Sequence, residues 1–275
     1  GAVMPPLHEP PAFPADLDTL ILVAGHAVFL GHSLCTPPSS ALLDASWLLQ
    51  SFQTGEPPFY AAHLRAAAAL AANTPSALLL LSGGVTRTWN LLPEGRRAPV
   101  GAPPAEGVSY LELLRVMDGE EGWGFGEAIR GRVSTEDFAR DSFENVLFGV
   151  CRFKECVGRY PRKVVVVSWE FKRVRFAMHA AAVGLPAERF EFLGVGEPLD
   201  AGAVAVGEAR AVAGFEGDPY GRPGGEAWAK RVGRNPEGRR NGYGMVCGEM
   251  LGLLEEGDVE KKPAVVAEWG EVETV

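Results

Sequence analysis

The chain has 275 residues and 47% hydrophobic content, enough to bury a substantial core within one large domain. Lys and Arg number 26 against 35 Asp and Glu, a net charge of -9, which argues against nucleic-acid binding by bulk electrostatics and still allows local basic clusters that hold a small anion. No apolar run approaches the ~20 residues needed to cross a bilayer, and the N-terminal segment lacks the charged start and apolar core of a signal peptide. The expectation is a soluble, cytoplasmic protein, with Gly1-Ala2-Val3 before Met4 resembling a cloning remnant. The cysteines Cys35, Cys151, Cys156 and Cys247 lack zinc spacing and read as core thiols of a reducing compartment. His8, His26, His32, His63 and His179 form no HxH or HxxxH pair, so no dedicated transition-metal site is expected.

In chain order, residues 1–16 are proline-rich and read as a surface wrap. Residues 17–24 (LDTLILVA) form an apolar run closed by Gly25, the pattern of a buried strand and tight turn. An Ala/Leu helix follows over 60–72. A second buried strand spans 77–81, closed by Ser82-Gly83-Gly84, then come a Pro/Gly loop over 93–107 and a helix over 109–117. A long helix over 137–157 places Ala139, Phe143, Val146, Val150, Phe153 and Val157 on one stripe. Ser134 or Thr135 is expected to cap it, with Ser142 and Asn145 at the stripe's edge and Asp141 and Glu144 toward solvent or a cleft. The strongest strand signal is KVVVV at 163–167. A helix over 171–183, with Phe176 and Met178 inward, and a weaker strand over 190–193 complete an α/β unit assigned to 17–197. An extension over 198–260 carries the DPYG turn, the basic cluster Lys230, Arg231 and Arg234, and a last helix over 241–255 packing Met245, Met250, Leu251 and Leu254. Residues 261–275 read as a tail.

Continuous apolar strands separated by helices predict a mostly parallel sheet covered on both faces, a Rossmann-like three-layer α/β sandwich with a C-terminal helical extension. Ligands of such sheets bind beyond the strand carboxyl ends, where strand order reverses. The strand ends read GHAVFLGH, SGGVTR and SWEFKRVR. The glycines of SGG would let backbone N–H groups approach an anion, with Arg87 in reach. Lys172, Arg173 and Arg175 oppose the dipole of the helix they start, which suggests an anionic partner; a solvated basic face is the competing reading. There is no GxGxxG after the first strand, no GxxxxGK[ST] and no GxSxG, so ordinary dinucleotide, P-loop and serine-hydrolase sites lack support. Glu106, Glu136 and Asp141 form a dispersed acidic set suited to a hard cation such as Mg²⁺.

Taken in order, the SGG turn, the acid-and-amide helix and the basic strand end resemble the YdcF-like family, domain of unknown function 218, with its SanA and ElyC groups. The similarity covers about 20–196, and EDFARDSFENVLFGVCRF and EFKRVRFAMHA resemble its fungal branch. The resemblance implies a Rossmann-type fold with Gly25 in the first glycine turn and Ser82, Gly83 and Gly84 in the second. It makes Glu106 an acid before a helix, matches Glu136, Ser142 and Asn145 to an acid followed by a Ser/Thr-x-x-Asn helix start, and matches Arg175 to the arginine after the later strand. Bacterial members carry a histidine where this chain has Lys172, which cannot act as an acid/base near neutrality without a depressed pKa. The GHAVF loop offers His26 as a substitute polar group.

The function implied is binding of a small anionic, nucleotide-like metabolite, S-adenosylmethionine-like by analogy with bacterial relatives. Ser82, Gly83, Gly84, Lys172 and Arg175 would hold the anion, Glu106 and Glu136 would orient a hydroxyl, an amine or Mg²⁺, and Asp141 completes the catalytic acids. Lys230 and Arg231 would close the site from the extension. The alternatives are metal-assisted phosphoester or pyrophosphate hydrolysis, and an interaction module with a vestigial pocket whose extension contacts a protein partner.

Overall fold

The apolar runs at 19–24, 77–82 and 163–168 become strands whose two faces are both covered. The structure, a computed structural model, describes residues 13–31, 38–119 and 122–254; His8, His32, Cys35 and the expected tail lie outside them. In chain order the elements are β1 (Thr19–Ala24), a two-strand hairpin of β2 (Val28–Phe29) and β3 (Trp47–Leu48), α1 (Pro57–Ala72), β4 (Ala77–Ser82), α2 (Glu106–Gly119) and the short α3 (Gly126–Ile129). Then follow β5 (Val133–Glu136), α4 (Ser142–Val157), β6 (Lys163–Ser168), α5 (Arg173–Ala182), β7 (Phe190–Gly194), α6 (Ala201–Gly217), α7 (Glu226–Gly233) and α8 (Gly244–Leu251).

Five strands form one parallel sheet in the order β5-β4-β1-β6-β7, with Ile21 registered against Leu79 on one side and Val165 on the other. Alternate residues divide between two cores. Ile21, Val23, Leu79, Leu81, Val165 and Val167 pack against α1 and α2, whereas Leu20, Leu22, Leu78, Leu80, Val164 and Val166 pack against α4 and α5. The result is the Rossmann-like three-layer sandwich. From β1 the chain moves outward through β4 to β5 and then returns to β6 on β1's other flank. The strand order therefore reverses between β1 and β6, and the crevice at their carboxyl ends is where such a sheet takes ligands.

The extension packs on the α4 side: Phe215, Tyr220, Tyr243, Cys247, Met250 and Leu253 are buried in the same core as Phe143 and Phe148. Met245, expected to pack there, is 97% exposed. The long helix also starts later than expected. Ser134 and Thr135 belong to the edge strand β5, pairing with Leu80 and Leu81, and the cap is Asp141, whose Oδ1 accepts from the Glu144 N–H at 2.9 Å. Cys151 and Cys247 are buried and Cys156 is half-buried, all three as free thiols. Among the described residues no helix is long and apolar enough to cross a membrane.

Candidate functional site

The ends of β1 and β4 are joined by a carboxylate. Glu106, at the start of α2, is 5% exposed and lies between Gly25 and Gly83. A Cβ on Gly25 would come within 2.7 Å of Glu106 Oε2, and one on Gly83, whose φ is +155°, within 2.7 Å of Glu106 Cβ. Glycine is required here so that the acid can enter. The Glu106 carboxylate accepts from the Thr86 hydroxyl and lies 3.6 Å from an Arg87 nitrogen. The expectation that this turn offers free N–H groups to an anion is not met. The N–H of Gly25 donates to Ser82 O (2.7 Å), that of Gly83 to Glu136 O (2.9 Å) and that of Gly84 to Ala139 O (2.6 Å). These donors hold loops to one another, so Gly25, Gly83 and Gly84 shape the site without lining it with donors.

Ser82, Glu136 and Asn145 form a second buried group, beneath the sheet's edge on the α4 side. Ser82 Oγ is 2.8 Å from Glu136 Oε2 and 2.7 Å from Asn145 Oδ1. Glu136 also accepts from the Phe138 and Ala139 N–H groups and stands 3.3 Å from the Tyr243 hydroxyl. Burial pushes its pKa up to about 7 against the opposing hydrogen bonds. The single Ser82 hydroxyl proton is shared between the Glu136 carboxylate and Asn145 Oδ1, both of which accept from it. Ser142 Oγ meets His179 Nε2 at 2.8 Å, and burial among Phe143, Phe176 and Phe215 lowers that ring's pKa to about 3. Ser142, Asn145, Ser82 and Glu136 are therefore occupied in tying α4 to β4 and α5.

Asp141 and Arg231 form the third group, and here the expected roles change. Arg231 is fully buried; its Nε donates to Asp141 at 2.7 Å and its Nη1 to the carbonyls of Tyr220 and Gly221 at 2.7 and 2.8 Å. Glu144, expected to face solvent or a cleft, is also fully buried, bound by Arg140 at 2.5 Å and 3.5 Å from Arg231. Burial alone would raise the Asp141 pKa, but Arg231 draws it below the ordinary carboxylate value. These ion pairs pin the extension to the amino end of α4 and occupy Nε and Nη1 of Arg231, while its Nη2 is buried without a partner. Asp141, Glu106 and Glu136 thus have separate partners, and among the described residues no cluster of three or more His, Cys, Asp and Glu side chains could hold a metal ion.

The groups that do meet lie at the switch point. His26 follows β1 and is buried against Tyr60, His63 and Trp169. Its Nδ1 is 3.2 Å from Lys172 Nζ and its Nε2 is 3.3 Å from Ser168 Oγ at the end of β6. A protonated Lys172 can only donate, and against it Nδ1 accepts and Nε2 carries the ring proton. Burial, then the charges of Lys172, His63, Arg87 and Arg175, hold the His26 pKa well below its ordinary value. Arg87 is 6% exposed; it donates to His26 O at 2.5 Å and approaches Gln53 Oε1 at 3.5 Å. Gln53 in turn donates to His26 O and to the Tyr60 hydroxyl.

Arg175 projects from the first turn of α5 and pairs with Glu208 of α6 at 2.8 Å. Its Nε, the Nε of Arg87 and Oε1 of Glu208 are buried without a partner. Lys172 makes no ion pair among the described residues, and burial followed by the charge of Arg175 lowers its pKa to about 7. From the extension, Arg234 donates to Arg140 O at 2.6 Å and interacts electrostatically with Glu106, Arg87, Asp141 and Arg175. Lys230 interacts with Arg234 and Arg175. A cavity of about 180 Å³ opens beside this group between the loop after β4 and the loop after α7, lined by Arg87, Thr88, Trp89, Pro103, Asn235 and Arg239 among others. Its lining includes Arg87 but neither Lys172 nor Arg175.

Of the expected site residues, His26, Arg87, Glu106, Lys172 and Arg175 gather, and Lys230 stands at their margin. Glu136, Ser82, Ser142, Asn145, Asp141 and Arg231 serve the scaffold. Sequence reasoning missed Gln53, Tyr60, Ser168 and Glu208 as parts of the cluster, whereas Arg234 belongs to the basic cluster expected of the extension. Tyr60 and His63, three apart within an Ala/Leu helix, were the available signal for its wall; nothing in the sequence marked Gln53. Comparison with known proteins adds little about chemistry. No family model matches the chain, and no solved structure matches it. The uncharacterized protein YOR238W of Saccharomyces cerevisiae is 33% identical over 66 residues, a similarity that spans 24% of this chain and 22% of that protein.

Proposed function

We propose that the protein binds a small anion, a phosphate- or carboxylate-bearing metabolite, in the crevice between the carboxyl ends of β1 and β6. One observation carries the reading: Arg87, Lys172, Arg175 and Arg234 converge there from three separate segments, and Lys172 has no carboxylate within ion-pair distance among the described residues. Burying cations without counter-charge is costly, and an incoming anion removes that cost. The unpartnered Nε groups of Arg87 and Arg175 are donors an anion can use. The Trp89 and Pro103 wall of the adjacent cavity suits an apolar or aromatic remainder, in keeping with a nucleotide-like or S-adenosylmethionine-like ligand and with the YdcF-like resemblance.

The test is thermal denaturation with inorganic phosphate, pyrophosphate, adenine nucleotides and S-adenosylmethionine. A true ligand stabilises by ~2.7 kcal/mol at about 100 times its dissociation constant. Arg175→Ala keeps the fold, checked by circular dichroism, and loses the stabilisation. No stabilisation by any of these anions, or full stabilisation of the Arg175→Ala protein, overturns the reading. Metal-assisted hydrolysis finds no favouring observation in the separately paired acids; phosphate release that EDTA abolishes is the result that would bring it back.

A further inference from the structure

An anion site at the switch point, on which this inference rests, accounts for the arginines but not for a lysine in their midst. A cation meant only to hold charge is best placed opposite carboxylates. Lys172 instead has His26 as its only close polar partner among the described residues, 3.2 Å away. The charged groups that act on it are Arg175 first, then Glu208, Glu56 and Glu106, none of them within ion-pair distance. Its residue is half-buried as a whole, and its amine is desolvated. A desolvated amine beside another cation is the arrangement that leaves a lysine uncharged and nucleophilic.

We propose that Lys172 is the covalent amine of the site, condensing with the carbonyl carbon of an anionic aldehyde or oxo acid whose phosphate or carboxylate lies against Arg175 and Arg234. The Nζ lone pair forms the C–N bond while the carbonyl π pair moves to oxygen, which takes up a proton. The nitrogen gives up two protons, the one that oxygen took in the addition and a second that His26 Nδ1 receives and returns to the hydroxyl; the nitrogen pair then forms the C=N bond as the C–O bond breaks, and oxygen leaves as water. The product is an imine, and no oxidant or reductant is consumed. His26 suits the position because burial, and then its cationic neighbours, keep it neutral, with Nδ1 facing Lys172 and Nε2 facing Ser168. A pKa of about 7 supports the geometry: about half of the amine is unprotonated at pH 7, against roughly one part in three thousand for a lysine at the ordinary 10.5.

The experiment treats the full chain at pH 7 with pyridoxal 5′-phosphate or with pyridoxal, reduces with borohydride and maps the label over the six lysines, 154, 163, 172, 230, 261 and 262. Pyruvate under the same treatment is the carboxylate arm. Lys172 is expected to carry at least about tenfold more phosphate-aldehyde label than any other lysine, a preference its lowered pKa permits, and inorganic phosphate should protect it. Label spread over the exposed lysines with Lys172 unmodified, while phosphate still raises the melting temperature, overturns the amine and leaves the anion site standing. Equal labelling of Lys172 by both aldehydes without phosphate protection supports the amine and removes the anion site. Lys172→Arg keeps the charge and should lose the label; the map on the unaltered chain decides the matter whether or not that variant folds.

Discussion

Replacing Arg231 with methionine tests whether the extension is clamped by the buried ion pair or merely rests on the domain. The side chain is fully buried and delivers one hydrogen bond to Asp141 and two to backbone carbonyls, at 2.7, 2.7 and 2.8 Å. Methionine fills most of the volume, so little of the loss comes from a cavity. What remains is an Asp141 carboxylate without its counter-charge and two orphaned carbonyls. Breaking a buried pair by removing one partner costs ~3–5 kcal/mol, a large share of the 5–15 kcal/mol that holds a typical domain together. Urea denaturation followed by circular dichroism should show the midpoint fall accordingly. In Asp141→Asn/Arg231→Met the stranded charge is gone, so the double variant should be less destabilised than the two single losses summed. A loss below ~1 kcal/mol, or strict additivity, would refute the clamp.

Glu136 predicts a pH dependence of folding. Its folded pKa of about 7 lies above the ordinary 4.5, so its contribution to stability is full below about pH 4.5 and is lost as pH rises through 7. The shift corresponds to ~3 kcal/mol across that window. Glu136→Gln should flatten the slope of stability between pH 5 and 7.5, and an unchanged slope would show that the group titrates normally. Gly83→Ala forces a Cβ into Glu106 at a φ of +155°, so a destabilisation of ~1–3 kcal/mol is expected in thermal melts. An unaltered melt would mean that Glu106 does not sit between the glycines.

The sheet was readable because β1, β4 and β6 are buried on both faces and so appear as unbroken apolar runs. β5 was not. It has only four residues, Val133–Glu136, three of them polar, and Ser134 and Thr135 imitate a helix cap. Lys172 and Arg175 were found because cations at a helix start are conspicuous on local grounds. Glu144 was misplaced because, beside its local partner Arg140, it also lies 3.5 Å from Arg231, a group far along the chain that no periodicity reveals. The same holds for Glu208, opposite Arg175, and for Gln53, whose contacts come only with the fold. Local physics is legible in a sequence, whereas pairing between distant segments must be seen.

The cationic crevice divides by origin. His26, Lys172 and Arg175 stand on segments that continue directly from the two central strands, so a shift of any of them would disturb the whole sheet. Arg234 and the 235–239 side of the neighbouring cavity come from the extension, held by the Arg231 clamp and by its own buried residues such as Tyr220 and Tyr243. Floor and roof are therefore free to diverge at different rates. A descendant could exchange what its ligand carries at the far end by rewriting the roof alone, and inherit the grip on the anionic end unchanged.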